Sequence, residues 1–254
     1  MSQSTSRRSG TVVAMVLLAL AAAGPATAWE VEPGAPDESL RVFHRRFAAA
    51  AYPYPRHGAS PLGIVGFDVY VDLAVDEGFD GEPFFGQAVA GDLPADVLAV
   101  GRVGVRKGLP GGIDLGASYG RAIDSDLELV SAEIGWAMID GGLVSPALGL
   151  RLTGTRSIGD GAYDLEQYGA ELILSKGFAV VTPYVGGGAM WSEGRFDRSG
   201  VPHVPEEPPR DLGDDETRAF AYAGITVNLL VPKITFEVEQ AEDLQAAVKV
   251  GFGF

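Results

Sequence analysis

Ten segments of the chain alternate large apolar residues with small, polar or charged ones, and this alternation constrains the fold more than any other feature. Successive side chains of a β-strand point to opposite faces of a sheet, so a period of two predicts strands. Each segment has about the 9 to 11 residues that a tilted strand needs to cross a bilayer. The predicted strands are 63–74, 97–107, 112–121, 127–138, 145–156, 165–176, 180–193, 216–229, 233–241 and 244–254.

The two faces of these strands differ in chemistry. Arg151 lies between two leucines, and Glu237 lies between Phe236 and Val238. A soluble β-sandwich or lipocalin-like barrel also alternates, but it turns its bulky residues inward. Here the face opposite the aromatic residues is rich in glycine and charge, which favours lipid outside and a polar lumen inside. We therefore predict an all-β fold, a transmembrane antiparallel up-and-down β-barrel of about 10 strands, with 8 or 12 as the alternatives.

The connections between the predicted strands alternate in length. The short turns, marked by Gly or Pro, are 108–111, 140–143, 177–178 and 231–232. The longer links on the other side are 75–96, 122–126, 157–164 and 194–215, and only 242–243 is short there. Bacterial barrels have short periplasmic turns and longer extracellular loops, so this alternation predicts that the carboxyl end lies in the periplasm.

Aromatic residues gather near both ends of the predicted strands, as they do at the two interfaces of a membrane. The expected girdles consist of Phe67, Trp136 and Phe252 at the periplasmic rim and Tyr119, Tyr168 and Trp191 at the outer rim.

Parity also predicts a charged lumen, which contains Asp68, Arg102, Arg106, Asp114, Glu133, Arg151, Glu171, Glu237 and Lys249. Arg151 falls between Glu133 and Glu171 on consecutive strands, a favourable cross-strand arrangement. Glu237, Lys249 and Asp68 become neighbours only if the barrel closes. Tight pairs are typical of a plugged lumen and loose pairs of an open pore, and the sequence leaves both open.

The amino-terminal region predicts export. Arg7 and Arg8 precede an apolar run at 11–23 and the small residues Ala26-Thr27-Ala28, which together form a secretory signal peptide cleaved after Ala28. No later stretch approaches the roughly 18 to 20 apolar residues of a membrane-spanning helix. The expected location is the cell outer membrane, and the expected regions are a signal peptide at 1–28, a periplasmic segment at 29–62 and the barrel at 63–254.

Residues 29–62 do not alternate like a strand. A cap at Asp37 or Ser39 and an apolar side formed by Leu40, Val42, Phe43 and Phe47 predict a short amphipathic helix. The helix should end near Ala51, because Tyr52-Pro53-Tyr54-Pro55 follows it. It either hangs in the periplasm, as part of a loosely ordered leader, or inserts into the mouth of the barrel.

Composition excludes several classes of protein. There is no cysteine, hence no disulfide or thiol-metal site, and a formal charge of −15 argues against nucleic acid as a partner. His44, His57 and His203 all fall outside the predicted strands. His203 has acidic neighbours in the link 194–215, but a Pro-rich loop positions a general base poorly. We therefore expect no enzyme, no catalytic residues, no metal site and no cofactor.

Three motifs resemble an uncharacterised family of proteobacterial outer-membrane proteins, small OmpW-like or porin-like barrels in general architecture. They are the run from Ala59 to Asp68, the run from Gly112 to Ala117, and Ser175-Lys176-Gly177-Phe178 with Thr182-Pro183-Tyr184. The terminal Phe254 resembles the carboxyl-terminal signature of such barrels, which the assembly machinery reads. The resemblance implies outer-membrane lipid and that machinery as partners, and no activity.

The predicted function is that of an outer-membrane barrel, structural or a narrow channel for small solutes. The alternative is a surface-interaction barrel whose acidic links 75–96 and 194–215 bind an external partner or cations. An outer-membrane hydrolase is the least favoured.

Overall fold

Ten antiparallel strands close into a barrel in the computed structural model, which describes residues 30–31, 35–76, 89–90, 98–123, 125, 127–142, 144–158, 163–196, 212–229 and 232–253. The barrel strands are β2 (Phe67–Asp76), β4 (Leu98–Leu109), β5 (Ile113–Ala122), β6 (Glu128–Ile139), β7 (Ala147–Ile158), β8 (Tyr163–Ser175), β9 (Val181–Phe196), β10 (Leu212–Asn228), β11 (Lys233–Gln240) and β12 (Leu244–Gly253). Each barrel strand pairs with the next along the chain, and β12 pairs with β2 to close the ring. The predicted all-β, up-and-down architecture with ten strands is confirmed.

Two short strands lie outside the barrel wall. They are β1 (Glu30–Val31) and β3 (Val89–Ala90), which pair with each other. The predicted signal peptide, the terminal Phe254, His203 and much of the links 75–96 and 194–215 lie outside the described residues.

The first barrel strand begins later than predicted. Residues 63–66 form a turn, in which Gly63 has a φ of +75° and the amide of Gly66 donates to the Gly63 carbonyl at 3.0 Å. A positive φ costs glycine little, so the chain reverses there before it enters the wall at Phe67.

The two ends of the barrel differ in their connections. At one end, the short-turn end, the strands are joined by residues 110–112, 140–146, 176–180 and 229–232. At the other, the long-loop end, they are joined by 77–97, 123–127, 159–162, 197–211 and 241–243. The side of a membrane on which each end lies stays a prediction.

Large apolar side chains cover the outside of the barrel. Leu115, Ile134, Leu172 and Phe236 are each between 43% and 55% exposed, although they lie on four different strands. Their sequence neighbours of opposite parity point inward and are buried or half-buried. The outer face is therefore largely apolar, and most charged residues in the middle of the strands lie in the lumen, whereas Arg156, Asp164 and Arg195 are exposed near the long-loop end.

The aromatic residues predicted for the girdles lie near the strand ends. Phe67, Trp136 and Phe252 are exposed near the short-turn end. In the half nearer the long-loop end, Tyr119 is exposed and the rings of Tyr168 and Trp191 stack with their centroids 5.7 Å apart.

The structure describes one helix, α1 (Asp37–Ala51), which ends where the sequence predicted and begins at Asp37, one of the two residues predicted to cap it. The predicted cap is wrong: Pro36 occupies the N-cap position and no side chain caps the first turn. Asp37 is the first helical residue, and its negative charge interacts favourably with the positive end of the helix dipole. Among the described residues, no helix is long and apolar enough to cross a membrane.

The helix lies inside the barrel, in the half near the long-loop end. Leu40, Phe43 and Phe47 are buried in a cluster with inward residues of the wall, among them Leu129 and Phe196. Because this cluster removes the apolar side of the helix from water, the hydrophobic effect stabilises the helix inside the barrel. Of the two placements that the sequence left open, insertion is therefore the one found, and a periplasmic segment hanging outside the barrel is ruled out for residues 35–62.

Candidate functional site in the barrel lumen

Residues 35–62, which we call the plug, run through the lumen from the long-loop end to the short-turn end. The helix α1 fills the first half, Tyr52 to Arg56 continue without regular secondary structure, and residues 57–62 reach the other rim. Residues 48–52, at the junction, are almost completely buried. Hydrogen bonds join the helix, the middle and the end of the plug to the wall, so the described residues 35–62 occupy most of the lumen.

His44 fixes the helix against two neighbouring strands. Its Nδ1 atom lies 2.6 Å from the hydroxyl of Tyr163, and its Nε2 atom lies 3.1 Å from Oγ of Ser192. Burial lowers the pKa of His44 to about 4, so the imidazole is neutral at physiological pH. Both ring nitrogens are thus satisfied, as a buried polar group requires.

Arg102 caps the carboxyl end of the helix from the wall. Its Nη2 atom donates to the carbonyls of Ala50 at 3.0 Å and Tyr52 at 3.1 Å. The last carbonyls of a helix have no partner within the helix, and Arg102 donates to two of them. Its positive charge also interacts favourably with the negative end of the helix dipole. One Arg102 nitrogen, Nη1, lies 3.3 Å from Asp72, which compensates the buried charge.

Aromatic rings fill the middle of the lumen. Tyr52 and Tyr54 from the plug pack against Phe220 on β10, with centroids 4.8 and 5.3 Å apart. The wall makes room for Tyr52 at Gly169, where an added Cβ would lie 2.1 Å from the tyrosine hydroxyl. Glycine at this position therefore lets the plug approach the backbone of β8.

Arg56 anchors the middle part of the plug to three carboxylates. Its Nη1 lies 2.6 Å from Asp72, its Nη2 lies 2.9 Å from Glu239, and its Nε lies 3.8 Å from Glu237. Burial acts to lower the pKa of Arg56, but the carboxylates outweigh it and raise that pKa, so the charge is held. The residue has a φ of +46°, a backbone conformation that only a well-determined environment maintains in a non-glycine residue.

Arg151 bridges two acids of the wall and the plug. Its Nε donates to Glu133 at 2.8 Å, its Nη1 pairs with Glu171, and its Nη2 donates to the Pro53 carbonyl at 2.5 Å. The structure thus places Arg151 between the two carboxylates that flank it in the sequence prediction. It adds a third acceptor, from the plug, that the strand pattern alone could not reveal.

The remaining predicted lumen charges also lie on the inner face. Arg106 pairs with Asp114 at 2.9 Å, and Lys249 pairs with Asp68 at 2.9 Å across the closing pair of strands β12 and β2. The expected grouping of Glu237 with Lys249 differs from the structure. Glu237 lies opposite Ala247 and accepts from the Tyr184 hydroxyl at 2.6 Å, while its charge faces Arg56.

Two backbone contacts fasten the plug at the short-turn end. The amide of Ala59 donates to Oγ of Ser175 at 2.9 Å, and the amide of Leu62 donates to Asp114 at 3.1 Å. A cavity of about 170 Å³ remains beside this part of the plug.

Sequence reasoning missed three of the lumen residues that hold the plug, namely His44, Arg56 and Asp72. Parity places Glu239 on the same face of β11 as Glu237, and the parity of β2 could have found Asp72 in the same way, since Asp72 shares its face with Asp68. Nothing in the alternation of strands could have found His44 or Arg56, because they lie outside the barrel wall.

No family model matches the chain, and no curated protein sequence matches it. The resemblance to a family that the sequence motifs indicate therefore stays a prediction.

Several solved structures of outer-membrane β-barrels are similar to the chain. The amino-terminal β-barrel domain of OprF from Pseudomonas aeruginosa is 13% identical, with a TM-score of 0.35, and the match covers 74% of this chain and 97% of that one. The KdgM porin is 9% identical, with a TM-score of 0.36 and coverage of 75% and 99%. Neisserial surface protein A is 10% identical, with a TM-score of 0.32 and coverage of 74% and 95%. At these values the likenesses carry no argument about what this chain does.

Proposed function

We propose that the chain is a structural outer-membrane β-barrel whose lumen is closed by its own amino-terminal segment. The observation that carries this proposal is the combination of an apolar exterior with a charged interior that the plug fills. In this state the barrel conducts no solute.

The exterior supports insertion into a membrane. Exposed leucine, isoleucine, valine and phenylalanine side chains follow the outward parity of the strands around the barrel. Soluble monomers rarely expose contiguous apolar patches larger than a few hundred Å². Closure supports it further, because a barrel satisfies every backbone hydrogen bond of its wall without water. Outer-membrane lipid is then the first partner. The second is the barrel assembly machinery, which would recognise the terminal Phe254.

The interior supports a closed lumen. Barrels of about eight strands have lumens just filled by side chains, and ten strands leave only a little more room. Here the additional room holds the helix α1 and the chain that follows it, fixed by Arg102, Arg151 and Arg56. A narrow solute channel would open only where the plug leaves these anchors.

The buried Ser192 and His44 are proposed to be structural and not catalytic. Their side chains lie at the separation of a nucleophile and a general base, 3.1 Å. However, His44 is completely buried, Ser192 is 4% exposed, and the second ring nitrogen of His44 bonds to Tyr163. A substrate could reach the serine only by displacing the helix.

Recording from single barrels in planar bilayers tests the closed lumen. Full-length refolded protein should insert, as judged by heat-modifiable migration on gels, and give no current steps. A variant with Arg56→Ala serves as comparison, because loss of this anchor should permit intermittent steps. Steady steps from the unaltered protein would contradict a closed lumen, and absence of the protein from the outer-membrane fraction of cells would contradict the location.

A further inference from the structure

The cavity at the short-turn end is lined mainly by hydrogen-bond donors and positive charge. Its volume of about 170 Å³ is roughly tenfold what one water molecule needs by the same kind of measure. Among the described residues, four cationic side chains line it, and Asp68 is the one carboxylate. The cationic set consists of Arg56, Arg106, Lys233 and Lys249.

These cations keep donors that their acidic partners do not use. Lys249 has three N–H groups, and one of them is directed at Asp68, 2.9 Å away. Arg106 has five, of which those on Nη2 and Nε approach Asp114 and Glu133. The carboxylates that compensate Arg56 and Arg106 lie outside the lining, so the groups that face the cavity are mainly N–H and O–H donors.

Lys233 is the most available of the four. It is half-buried at the rim, and among the described residues no carboxylate lies within 4.0 Å of its amino group. Hydroxyl groups of Ser60, Thr182 and Thr226 lie around the same space. A mouth with one available lysine and several hydroxyl groups suits an anion that arrives from the aqueous side.

His57 provides an independent observation of positive potential. Its Nδ1 atom lies 2.7 Å from the Gly58 carbonyl, and its Nε2 atom, buried, has no hydrogen-bond partner among the described residues. Burial, followed by the charges of Arg106 and Lys249, holds the pKa of His57 well below its ordinary value. Because Nδ1 donates to the Gly58 carbonyl, Nε2 of the neutral ring is an acceptor without a partner, and it suits an anion that still carries a proton, such as the P–OH group of hydrogen phosphate.

We propose that this cavity binds one small soluble oxyanion of the phosphate class, held by Lys233 at the half-buried rim and by Lys249 and Arg106 inside, with Nε2 of His57 accepting from a protonated phosphate oxygen. Residues of both the plug and the wall form the site, so a bound anion would link the plug to the wall. This proposed binding rests on the plug part of the proposed function. It depends on the position of the plug and not on the membrane or the conductance of the barrel.

Calorimetric titration of the full-length protein, refolded in an uncharged detergent, with inorganic phosphate tests the proposal. One saturable site is expected. Lys233→Gln should weaken binding by about fivefold, the loss of one partly exposed charge-assisted contact, and Lys233→Glu should abolish it. Lys176→Gln is the matched control, since Lys176 lies near the same rim outside the lining. It should change affinity by less than about twofold.

Each variant is first checked for heat-modifiable migration, so that only folded protein is compared. Absence of saturable phosphate binding to the unaltered protein overturns the proposal. Equal losses in Lys233→Gln and Lys176→Gln overturn it too, because they indicate general attraction to the rim. Saturation by a soluble short-chain phospholipid without saturation by phosphate would assign the site to a lipid headgroup and overturn the soluble anion.

Discussion

Replacement of Arg151 by leucine should destabilise the barrel by about 3 kcal/mol. Removing one partner of a buried ion pair costs about 3 to 5 kcal/mol, because the opposite charge stays buried without compensation. The lower figure applies here, since Glu133 retains Arg106, whose Nε lies 2.9 Å away. Glu171, whose side chain is completely buried, carries most of the loss because it has no second cation within 4.0 Å among the described residues.

The double variant Arg151→Leu with Glu171→Gln separates this mechanism from lost packing. Glutamine removes the buried charge, so the double variant should recover about 2 kcal/mol of the loss. Arg195→Leu is the control on the neighbouring strand β9. The side chain of Arg195 is 66% exposed and pairs with Glu193 at 2.5 Å, so its loss should cost less than about 0.5 kcal/mol.

Urea unfolding of the unaltered protein and the three variants, refolded in lipid vesicles and followed by tryptophan fluorescence, gives the four free energies of unfolding. A loss below about 1 kcal/mol for Arg151→Leu would refute the argument, because that value is typical of a pair solvated in a wet lumen. Failure of the double variant to recover stability would show that the buried charge of Glu171 is not the cause.

Three further predictions concern the plug and its surroundings. Gly169→Ala should lower the free energy of unfolding by about 1 to 3 kcal/mol, because the added methyl group overpacks against Tyr52. Gly154→Ala should lower it little, since the nearest atoms there lie at 3.5 Å, and urea unfolding of both variants checks this. Stability should fall as pH drops from about 6.5 to about 4, by up to roughly 3 kcal/mol, because unfolded His44 takes up a proton in this window and the buried imidazole does not; the slope should disappear in His44→Gln. Protease added to intact cells should cut within 194–215 and spare the short turns, and the opposite pattern would invert the predicted orientation.

The barrel could be predicted because its wall obeys one local rule. Alternation along each strand determines which face a residue occupies, and this rule holds from β2 to β12 without knowledge of the partners. It placed Arg151 between Glu133 and Glu171, and the geometry of the three strands does the same. Boundaries were less accurate where turns decided them, as at Gly63, whose positive φ delays the first strand.

The plug could not be derived in the same way, since its contacts have no regular spacing. The sequence predicted the helix from Asp37 to Ala51 but gave no means of choosing between insertion and a free leader. The choice depends on non-local partners: Arg102 reaches the carbonyl of Ala50, and Asp72 reaches Arg56. Glu237 lies in the lumen, on the strand that the sequence predicted, but its partner could not be predicted for the same reason, because its cation comes from the plug and not from a neighbouring strand.

The most direct test of a barrel closed by its own amino-terminal segment is a disulfide between the plug and the wall. The chain has no cysteine, so a pair introduced as Ala59→Cys with Gly149→Cys is the only one that can form within a molecule. A Cβ built on Gly149 lies 3.4 Å from the Cβ of Ala59, close to the roughly 3.5 to 4.5 Å of a disulfide. Ala59→Cys with Gly154→Cys is the control, in which the second cysteine lies farther along the same strand and on its outer face.

The measurement is the fraction of thiol that a maleimide labels after mild oxidation of the folded protein in membranes. The inserted plug predicts almost complete disulfide formation for the first pair and free thiols for the control. Equal labelling of both pairs in folded barrels would contradict the plugged lumen.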